Sequence, residues 1–128
     1  MNNGISIWNG YPVHGDIKEL DRIIEWGGVS QNYIFNLLSA EGESYVTSGV
    51  NARLVEAFNE AVNALPCKVD KVEELLIVLR WGNPQTDTCE QLSSIYDMLS
   101  DIKSVWDVSA NESFGNSCRV VLVASVKA

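Results

Sequence analysis

The last quarter of the chain constrains the fold most, because it contains two segments typical of β-strands. Residues 104–110 mix apolar and polar side chains, and residues 118–126 are almost continuously apolar and rich in β-branched side chains. The segment between them is rich in Asn, Gly and Ser, which favour turns. The sequence therefore predicts a closing β-hairpin whose final strand is buried on both faces and is covered by the rest of the chain.

Three stretches before this hairpin have the apolar periodicity of amphipathic helices. The first begins at Asp16, the second covers residues 51–65, and the third begins at Asp87. Glu19 and Glu90 follow the two Asp residues at the spacing of a capping box, in which the Asp accepts from a free backbone N–H and the Glu reaches back. The sequence therefore predicts three helices that pack on the strands.

Three further segments, residues 5–8, 33–38 and 75–81, are predicted to be strands, and the polar, Gly-bearing residues 39–49 are predicted to be a loop. The resulting order is β-α-β-α-β-α-β-β. This order predicts an α+β fold with a mixed sheet of four to five strands and three helices. The length of 128 residues predicts a single domain that covers residues 1–128.

The charge of the chain narrows the classes of partner. A net charge of −8 with only 9 basic residues argues against nucleic acid and anionic membrane surfaces, because phosphate contacts need clustered Lys and Arg. No apolar run reaches the ~18 residues that a membrane span needs, and the first residues lack the basic and apolar regions of a signal peptide. These features predict a cytoplasmic protein that contacts neither nucleic acid nor membrane.

The residue types that most often carry chemistry do not form a recognisable constellation. His14 is the only histidine, and Cys67, Cys89 and Cys118 lack the spacing of a metal site. The sequence therefore predicts no catalytic residue, no metal site and no cofactor. The four tryptophans are either packing residues of the core and its rim or an exposed aromatic patch for a partner, and the sequence leaves both alternatives open.

Residues 111–116 of the closing stretch read Asn-Glu-Ser-Phe-Gly-Asn, and residues 119–125 read Arg-Val-Val-Leu-Val-Ala-Ser. They resemble the end of the C-terminal domain in the tubulin/FtsZ family, where a turn of the type Asp-Glu-Ser-Leu-Gly-Asp precedes a strand like Arg-Val-Thr-Val-Ile-Ala-Thr-Gly. The resemblance covers residues 13–126 and leaves residues 1–12 as an extra N-terminal strand and turn. The middle helix is similar to that of the family at Arg53, Ala57, Ala61 and Pro66.

This resemblance implies a C-terminal domain without its nucleotide site. The family binds GTP through an N-terminal domain with a Gly-Gly-Gly-Thr-Gly-type loop, which this sequence lacks, so the chain alone is not expected to bind GTP. The family also has a loop like Asn-Val-Asp-Phe-Ala-Asp before the first helix, which reaches into the next subunit's nucleotide site. Here residues 12–16 read Pro-Val-His-Gly-Asp. Asp16 matches the second carboxylate and Val13 replaces the first, so Asp16 is expected to be a helix cap.

Two functions follow as hypotheses. The first, which the sequence favours over an enzyme, is a non-catalytic FtsZ/tubulin C-terminal-domain-like module that binds a protein partner or copies of itself. Its candidate interface residues are Val13, His14, Asp16, Trp26, Trp81 and Trp106. The second is a small-molecule-binding protein or enzyme of a chorismate-mutase-like or YjgF-like trimeric fold, in which an arginine between subunits binds a carboxylate. The candidates for that arginine are Arg22, Arg53, Arg80 and Arg119.

Overall fold

The structure, a computed structural model, describes residues 5–39, 42–83 and 87–126. The described part contains six β-strands, which are β1 (Ile5–Trp8), β2 (Tyr11–Gly15), β3 (Glu43–Asn51), β4 (Val72–Trp81), β5 (Lys103–Ala110) and β6 (Cys118–Val126). It also contains four α-helices, which are α1 (Lys18–Trp26), α2 (Gln31–Leu38), α3 (Leu54–Asn63) and α4 (Thr88–Met98). Of these helices, none has the length and apolar character needed to cross a membrane. The predicted α+β class is confirmed, although the sheet and the set of helices are each larger than predicted.

β6 lies in the centre of the sheet, whose strand order is β1-β2-β3-β6-β4-β5. It pairs antiparallel with β3 along one side and with β4 along the other. Residues 120–124 are all fully buried. The prediction of a final strand buried on both faces is therefore confirmed, because a central strand lies under both layers of helices.

The predicted closing hairpin is wrong. β5 pairs in parallel with β4 at the outer edge of the sheet, and it does not pair with β6. α4 provides the crossover that a parallel pair of consecutive strands requires. Every residue of β5 is exposed or half-buried, which suits an edge, whereas the apolar β6 is stabilised by a neighbour on each side.

The helices cover the sheet on both faces and create two hydrophobic cores. We call these faces the α3/α4 face and the α1/α2 face. On the α3/α4 face, the alternate β4 residues Leu75, Ile77 and Leu79 are fully buried. On the α1/α2 face, Leu76 and Val78 are fully buried. The unbroken aliphatic run of β4 follows from this arrangement, because successive side chains of a strand point to two covered faces.

Residues 33–38 belong to α2 instead of the predicted strand. Ser30 caps this helix, since its Oγ accepts a hydrogen bond from the backbone N–H of Tyr33 at 3.1 Å. Ile34 and Leu37 are buried at helical spacing in the core of the α1/α2 face. A short apolar run fits either a strand or one side of a short helix, and here the cap and the buried side favour the helix.

The predicted loop over residues 39–49 is also wrong where the structure describes it, because β3 starts within it. Its polar residues are accommodated by α3, which packs directly on the strand. The hydroxyl of Thr47 donates a hydrogen bond to the carbonyl oxygen of Ala61 at 2.7 Å. A Cβ atom at Gly49 would overlap the carbonyl oxygen of Ala57, so this close approach of strand and helix requires glycine.

The N-terminal segment forms a hairpin that extends the sheet. β1 pairs antiparallel with β2 through a turn at Asn9 and Gly10, and β2 pairs in parallel with β3. β2 is an addition to the predicted elements. Residues 1–4 of the predicted N-terminal strand and turn, and residues 40–41 of the predicted loop, lie outside the described residues.

The two predicted capping boxes do not form. At the start of α1, Asp16 Oδ1 accepts a hydrogen bond from the backbone N–H of Lys18 at 3.0 Å, but Glu19 does not reach back. Glu19 is instead buried and paired with arginine side chains. At the start of α4, Asp87 accepts from Arg53 at 2.6 Å and not from the helix backbone. The carboxylates of Glu19 and Asp87, which the local spacing assigned to helix capping, therefore form ion pairs instead.

Candidate interaction surfaces

The first candidate surface lies along β5, on the α3/α4 face. Leu92 and Tyr96 of α4 and Trp106 and Val108 of β5 line a cleft of about 440 Å³. Tyr96 and Val108 are 61% and 38% exposed, and the rings of Tyr96 and Trp106 lie 5.9 Å apart. We call these four residues the β5-edge surface. Exposed aromatic and aliphatic side chains around a cleft are typical of protein contact sites.

The second candidate surface lies at the opposite edge of the sheet. Ile5 and Ile7 of β1 are 42% and 63% exposed, and we call them the β1-edge surface. They are the ladder partners of His14 and Pro12, so these four side chains share one face. That face is the α3/α4 face, because His14 pairs with Tyr45, which packs against the core under α3.

β1 is anchored to the protein by its other face. Trp8 is 4% exposed in the core of the α1/α2 face, and its Nε1–H donates a hydrogen bond to Asp21 at 2.9 Å. The ring of Trp8 also lies 5.6 Å from that of Phe35. The β1-edge surface is therefore presented by a fixed strand, since one side of β1 is packed while the other is exposed.

A groove of about 630 Å³ lies between the end of β2 and the C-terminal end of α3. His14 and Tyr45 line it, and their rings stack with centroids 4.7 Å apart. Nε2 of His14 is 3.8 Å from a carboxylate oxygen of Glu43, and the hydroxyl of Tyr45 donates a hydrogen bond to the same carboxylate. The three side chains form a polar cluster, and two of them, His14 and Tyr45, line the groove.

The pKa of Tyr45 is raised from 10.0 to about 12, chiefly because its O–H donates to the Glu43 carboxylate, with further contributions from burial and from the negative charge of Glu43. Folding therefore favours the neutral phenol. The stabilisation from this preference is complete below pH 10.0 and is lost as the pH rises from 10.0 to about 12.

We expect Glu43→Gln to lower the pKa of Tyr45 toward its ordinary value, because glutamine carries no charge and is a weaker acceptor. An absorbance titration of tyrosinate measures this pKa. The variant Tyr45→Phe identifies which part of the titration belongs to Tyr45. An unchanged titration in Glu43→Gln would show that the carboxylate does not hold the phenol in its neutral form.

All four arginines of the sequence are paired with carboxylates. The pairs are Arg22–Glu19 at 2.7 Å, Arg53–Asp87 at 2.6 Å, Arg80–Asp107 at 2.6 Å and Arg119–Glu19 at 3.3 Å. Within the described part of the chain, none of these arginines lines the cleft or the groove. Each arginine therefore already has a carboxylate partner within the chain, which does not favour these residues as ligands of a carboxylate substrate.

Four of the six sequence-predicted interface residues differ in solvent exposure. Val13 is fully buried in the core of the α1/α2 face, so it does not reach a partner. Asp16 is exposed at the start of α1. His14 and Trp106 are half-buried, the former in the groove and the latter in the β5-edge surface. The last two lie toward opposite edges of the sheet.

The two other predicted interface residues, Trp26 and Trp81, are half-buried packing residues. The ring of Trp26 meets Phe114 edge-on at 5.7 Å and lies 5.2 Å from the guanidinium carbon of Arg80. Trp81 packs against the core of the α3/α4 face. The structure therefore does not bring Trp26, Trp81 and Trp106 into one aromatic patch.

Sequence reasoning missed Ile5, Ile7 and Tyr96, which are the most exposed members of the two edge surfaces. The alternation of Ile5-Ser6-Ile7-Trp8 indicates that both isoleucines share one face of a strand. It does not indicate which face remains uncovered. Tyr96 falls on the predicted apolar stripe of α4, but its side chain is 61% exposed.

These elements together define the class of fold. A mixed sheet with helices on both faces and this topology is the fold of the C-terminal domain of tubulin/FtsZ-type proteins, as the resemblance of the closing stretch implies. Neither a protein-family model nor a curated protein matches the sequence significantly. The fold assignment therefore rests on solved structures.

Three of the similar structures are an FtsZ dimer from M. jannaschii, CetZ from Methanosaeta thermophila, and TubZ-Bt in a four-stranded filament. Their TM-scores are 0.63, 0.58 and 0.54, at sequence identities of 20%, 15% and 10%. The matches cover 85%, 87% and 88% of this chain but only 35% of each of those chains. The likeness shows the fold, and the chain spans about a third of the length of these proteins.

Proposed function

We propose that this protein is a non-catalytic assembly module that associates with copies of itself through the edges of its sheet. The observation that carries this proposal is the exposure of apolar side chains at both edges, in the β1-edge and β5-edge surfaces. Two of the similar structures are described as a dimer and as a four-stranded filament, which supports self-association. We expect the protein to act in the cytoplasm and not to bind GTP by itself.

Two physical effects oppose each other in this association. An edge strand has one row of unpaired N–H and C=O groups, and apolar side chains beside it are stabilised when a second surface covers them. The net charge of −8 opposes the approach of copies, because like charges repel over about 10 Å at 0.1 M salt. Salt weakens the repulsion and leaves the apolar contact intact.

We therefore expect the average mass in solution to rise with protein concentration, and to rise further at the same protein concentration when salt is added. Size-exclusion chromatography with light scattering and sedimentation velocity measure both trends. A protein that keeps the mass of a single chain at every protein and salt concentration would contradict the proposed function. A mass that falls with salt would indicate a charge-driven contact instead.

The groove beside His14 favours a second candidate function, which is the binding of a small polar molecule. Its volume of about 630 Å³ lies within the ~300–1,000 Å³ range of ligand sites. His14 and Tyr45 present polar groups and flat rings, and the carboxylate of Glu43 favours neutral or cationic ligands over carboxylates.

For this second function, we expect a matching ligand to raise the melting temperature of the wild-type protein, because a ligand that binds only the folded state stabilises it. A thermal-shift screen should compare neutral, cationic and anionic metabolites. The variant His14→Ala should lose the shift if the groove is the site. No shift with any class of metabolite would count against a ligand in the groove.

A further inference from the structure

We propose that copies of this chain join head to tail by strand addition, with β1 of one copy pairing antiparallel with the outer edge of β5 in the next. This inference rests on the proposed self-association and names the contact that makes it. Within residues 5–39, 42–83 and 87–126, no strand pairs with the outer edge of β1 or of β5. Each edge therefore offers a free row of backbone hydrogen-bonding groups.

The strand directions allow this junction between copies that have the same orientation. Along the sheet, β1–β2, β3–β6 and β6–β4 are antiparallel pairs, whereas β2–β3 and β4–β5 are parallel pairs. Three reversals separate the two edges, so β1 runs opposite to β5. When a second copy is placed beside the first without being turned over, its β1 meets β5 as an antiparallel neighbour.

The apolar side chains of the two edges also lie on the same face. The β1-edge and β5-edge surfaces both belong to the α3/α4 face, so the junction makes them neighbours on one continuous face. We infer a register in which Ile5 lies opposite Val108 and Ile7 lies opposite Trp106. Directly opposed side chains of antiparallel strands point to the same face, which this register satisfies for both pairs.

The same register is compatible with the other face of the sheet. It brings Trp8 beside Val105, whose side chain is 40% exposed on the α1/α2 face. Val105 is thus covered by the same junction that covers Val108. A symmetric pairing of β5 with β5 would leave Ile5 and Ile7 exposed, so the head-to-tail junction buries more of the exposed apolar surface.

The composition of the two edge strands favours pairing with another strand, because they have few of the residues that prevent strand addition. Natural proteins discourage strand addition with lysine, proline or charge on their edge strands. β1 contains none of these residues. β5 carries Lys103 at its first position, where it is paired with Glu74 at 3.3 Å, and Asp107, whose carboxylate is turned inward to Arg80. The outer edge of β5 is therefore largely free of groups that repel a neighbouring strand.

The test uses one lysine substitution at each edge, Ile7→Lys and Val108→Lys, in the full chain. Both side chains are exposed, at 63% and 38%, so the variants should keep the thermal melt of the wild type. Val50→Lys is the matched control for assembly, since Val50 is 45% exposed on β3 and lies outside β1 and β5. Its ladder partner is Arg119, so this lysine is expected to lower the melting temperature slightly without affecting the junction. All three substitutions reduce the net negative charge equally, so charge repulsion between copies does not distinguish them.

We expect Ile7→Lys and Val108→Lys each to remain a single chain at concentrations where the wild type and Val50→Lys are assembled. A mixture of the two edge variants is expected to form a species of two chains and nothing larger. In that species the intact β1 of Val108→Lys pairs with the intact β5 of Ile7→Lys, and the two outer edges are blocked. Sedimentation velocity on the separate and mixed variants measures these masses.

Each other outcome overturns a defined part of the inference. If the wild type assembles and both edge variants assemble equally well, the junction is wrong while self-association stands. If only Val108→Lys blocks assembly and Ile7→Lys alone forms a species of two chains, a symmetric β5 contact replaces the head-to-tail contact. If the wild type itself stays a single chain under all conditions, the proposed function fails together with the junction.

Discussion

Val121→Asp is expected to leave the protein without a cooperative folding transition. Val121 is fully buried in β6, the central strand, with β3 and β4 on its two sides and the core of the α1/α2 face above it. An unpaired carboxylate at this position costs several kcal/mol, which is comparable with the total stability of about 5–15 kcal/mol for a domain. We expect little soluble protein, and a thermal melt monitored by circular dichroism without a transition.

Two further variants separate the effect of charge from that of lost packing. Val121→Ala should remain folded and lose about 2 kcal/mol in a urea titration, because it removes methyl groups without adding a charge. Val50→Asp makes the same chemical change at the exposed position on β3 and should melt close to the wild type. A soluble Val121→Asp protein with a cooperative melt would show that β6 is not the buried centre of the sheet.

Asp107→Ala is expected to destabilise the protein by about 3–5 kcal/mol, because it leaves the guanidinium of Arg80 buried without its charge partner. The side chains of Arg80 and Asp107 are only 4% and 15% exposed, and their charged atoms lie 2.6 Å apart. After the substitution, Arg80 retains bonds to two backbone carbonyl oxygens and the ring of Trp26, which carry only partial negative charge. Urea titration of the wild type and the variant measures the difference.

The controls for this prediction test burial as the cause. Lys103→Ala removes a partner from the Lys103–Glu74 pair, in which Lys103 is 75% exposed, and should change stability little. The double variant Arg80→Met/Asp107→Ala removes both buried charges and should be more stable than Asp107→Ala alone. A double variant that is less stable than the single one would show that Arg80 stabilises the fold without its carboxylate.

The parts of the fold that follow from local patterns were predictable. The apolar run in β6 predicts burial on both faces. The stripe of the second predicted helix consists of Leu54, Phe58, Ala61, Val62 and Leu65, and all of these except the half-buried Val62 are buried. The sequence also predicts that Arg80 and Arg119 need a partner or an edge position, because both lie on strands that look buried. The structure confirms partners for both.

The ion-pair partners and the strand pairing were not predictable, because they depend on contacts between parts of the chain that are far apart in sequence. Glu19 pairs with Arg119, a hundred residues later, and spacing within one helix does not reveal such a partner. The same holds for strand pairing, because an apolar run does not state which strands lie beside it. The turn at residues 111–116 therefore suggested a hairpin, whereas the parallel pairing of β5 with β4 depends on the crossover through α4.

The candidate surfaces were less predictable than the fold for the same reason. Ile5 and Ile7 are 42% and 63% exposed on β1, and the alternation of this strand does not show which of its faces the rest of the chain covers. Trp106 was the one predicted interface residue that lies in an edge surface, and His14 lies in the groove. Aromatic residue type indicates potential for contact, but tertiary packing decides whether the ring is accessible.

The central position of β6 affects how the chain can fold during its synthesis. β6 follows the other described strands in the chain, yet it is the strand that connects β3 with β4. While the ribosome is still synthesising residues before Cys118, β1–β3 and β4–β5 are two unconnected fragments of sheet. The register from Glu43 with Val126 to Asn51 with Cys118 requires that the entire stretch has left the exit tunnel. Translation therefore delivers β6 after the other described strands, and until then the edges of β3 and β4 that pair with it lack their partner.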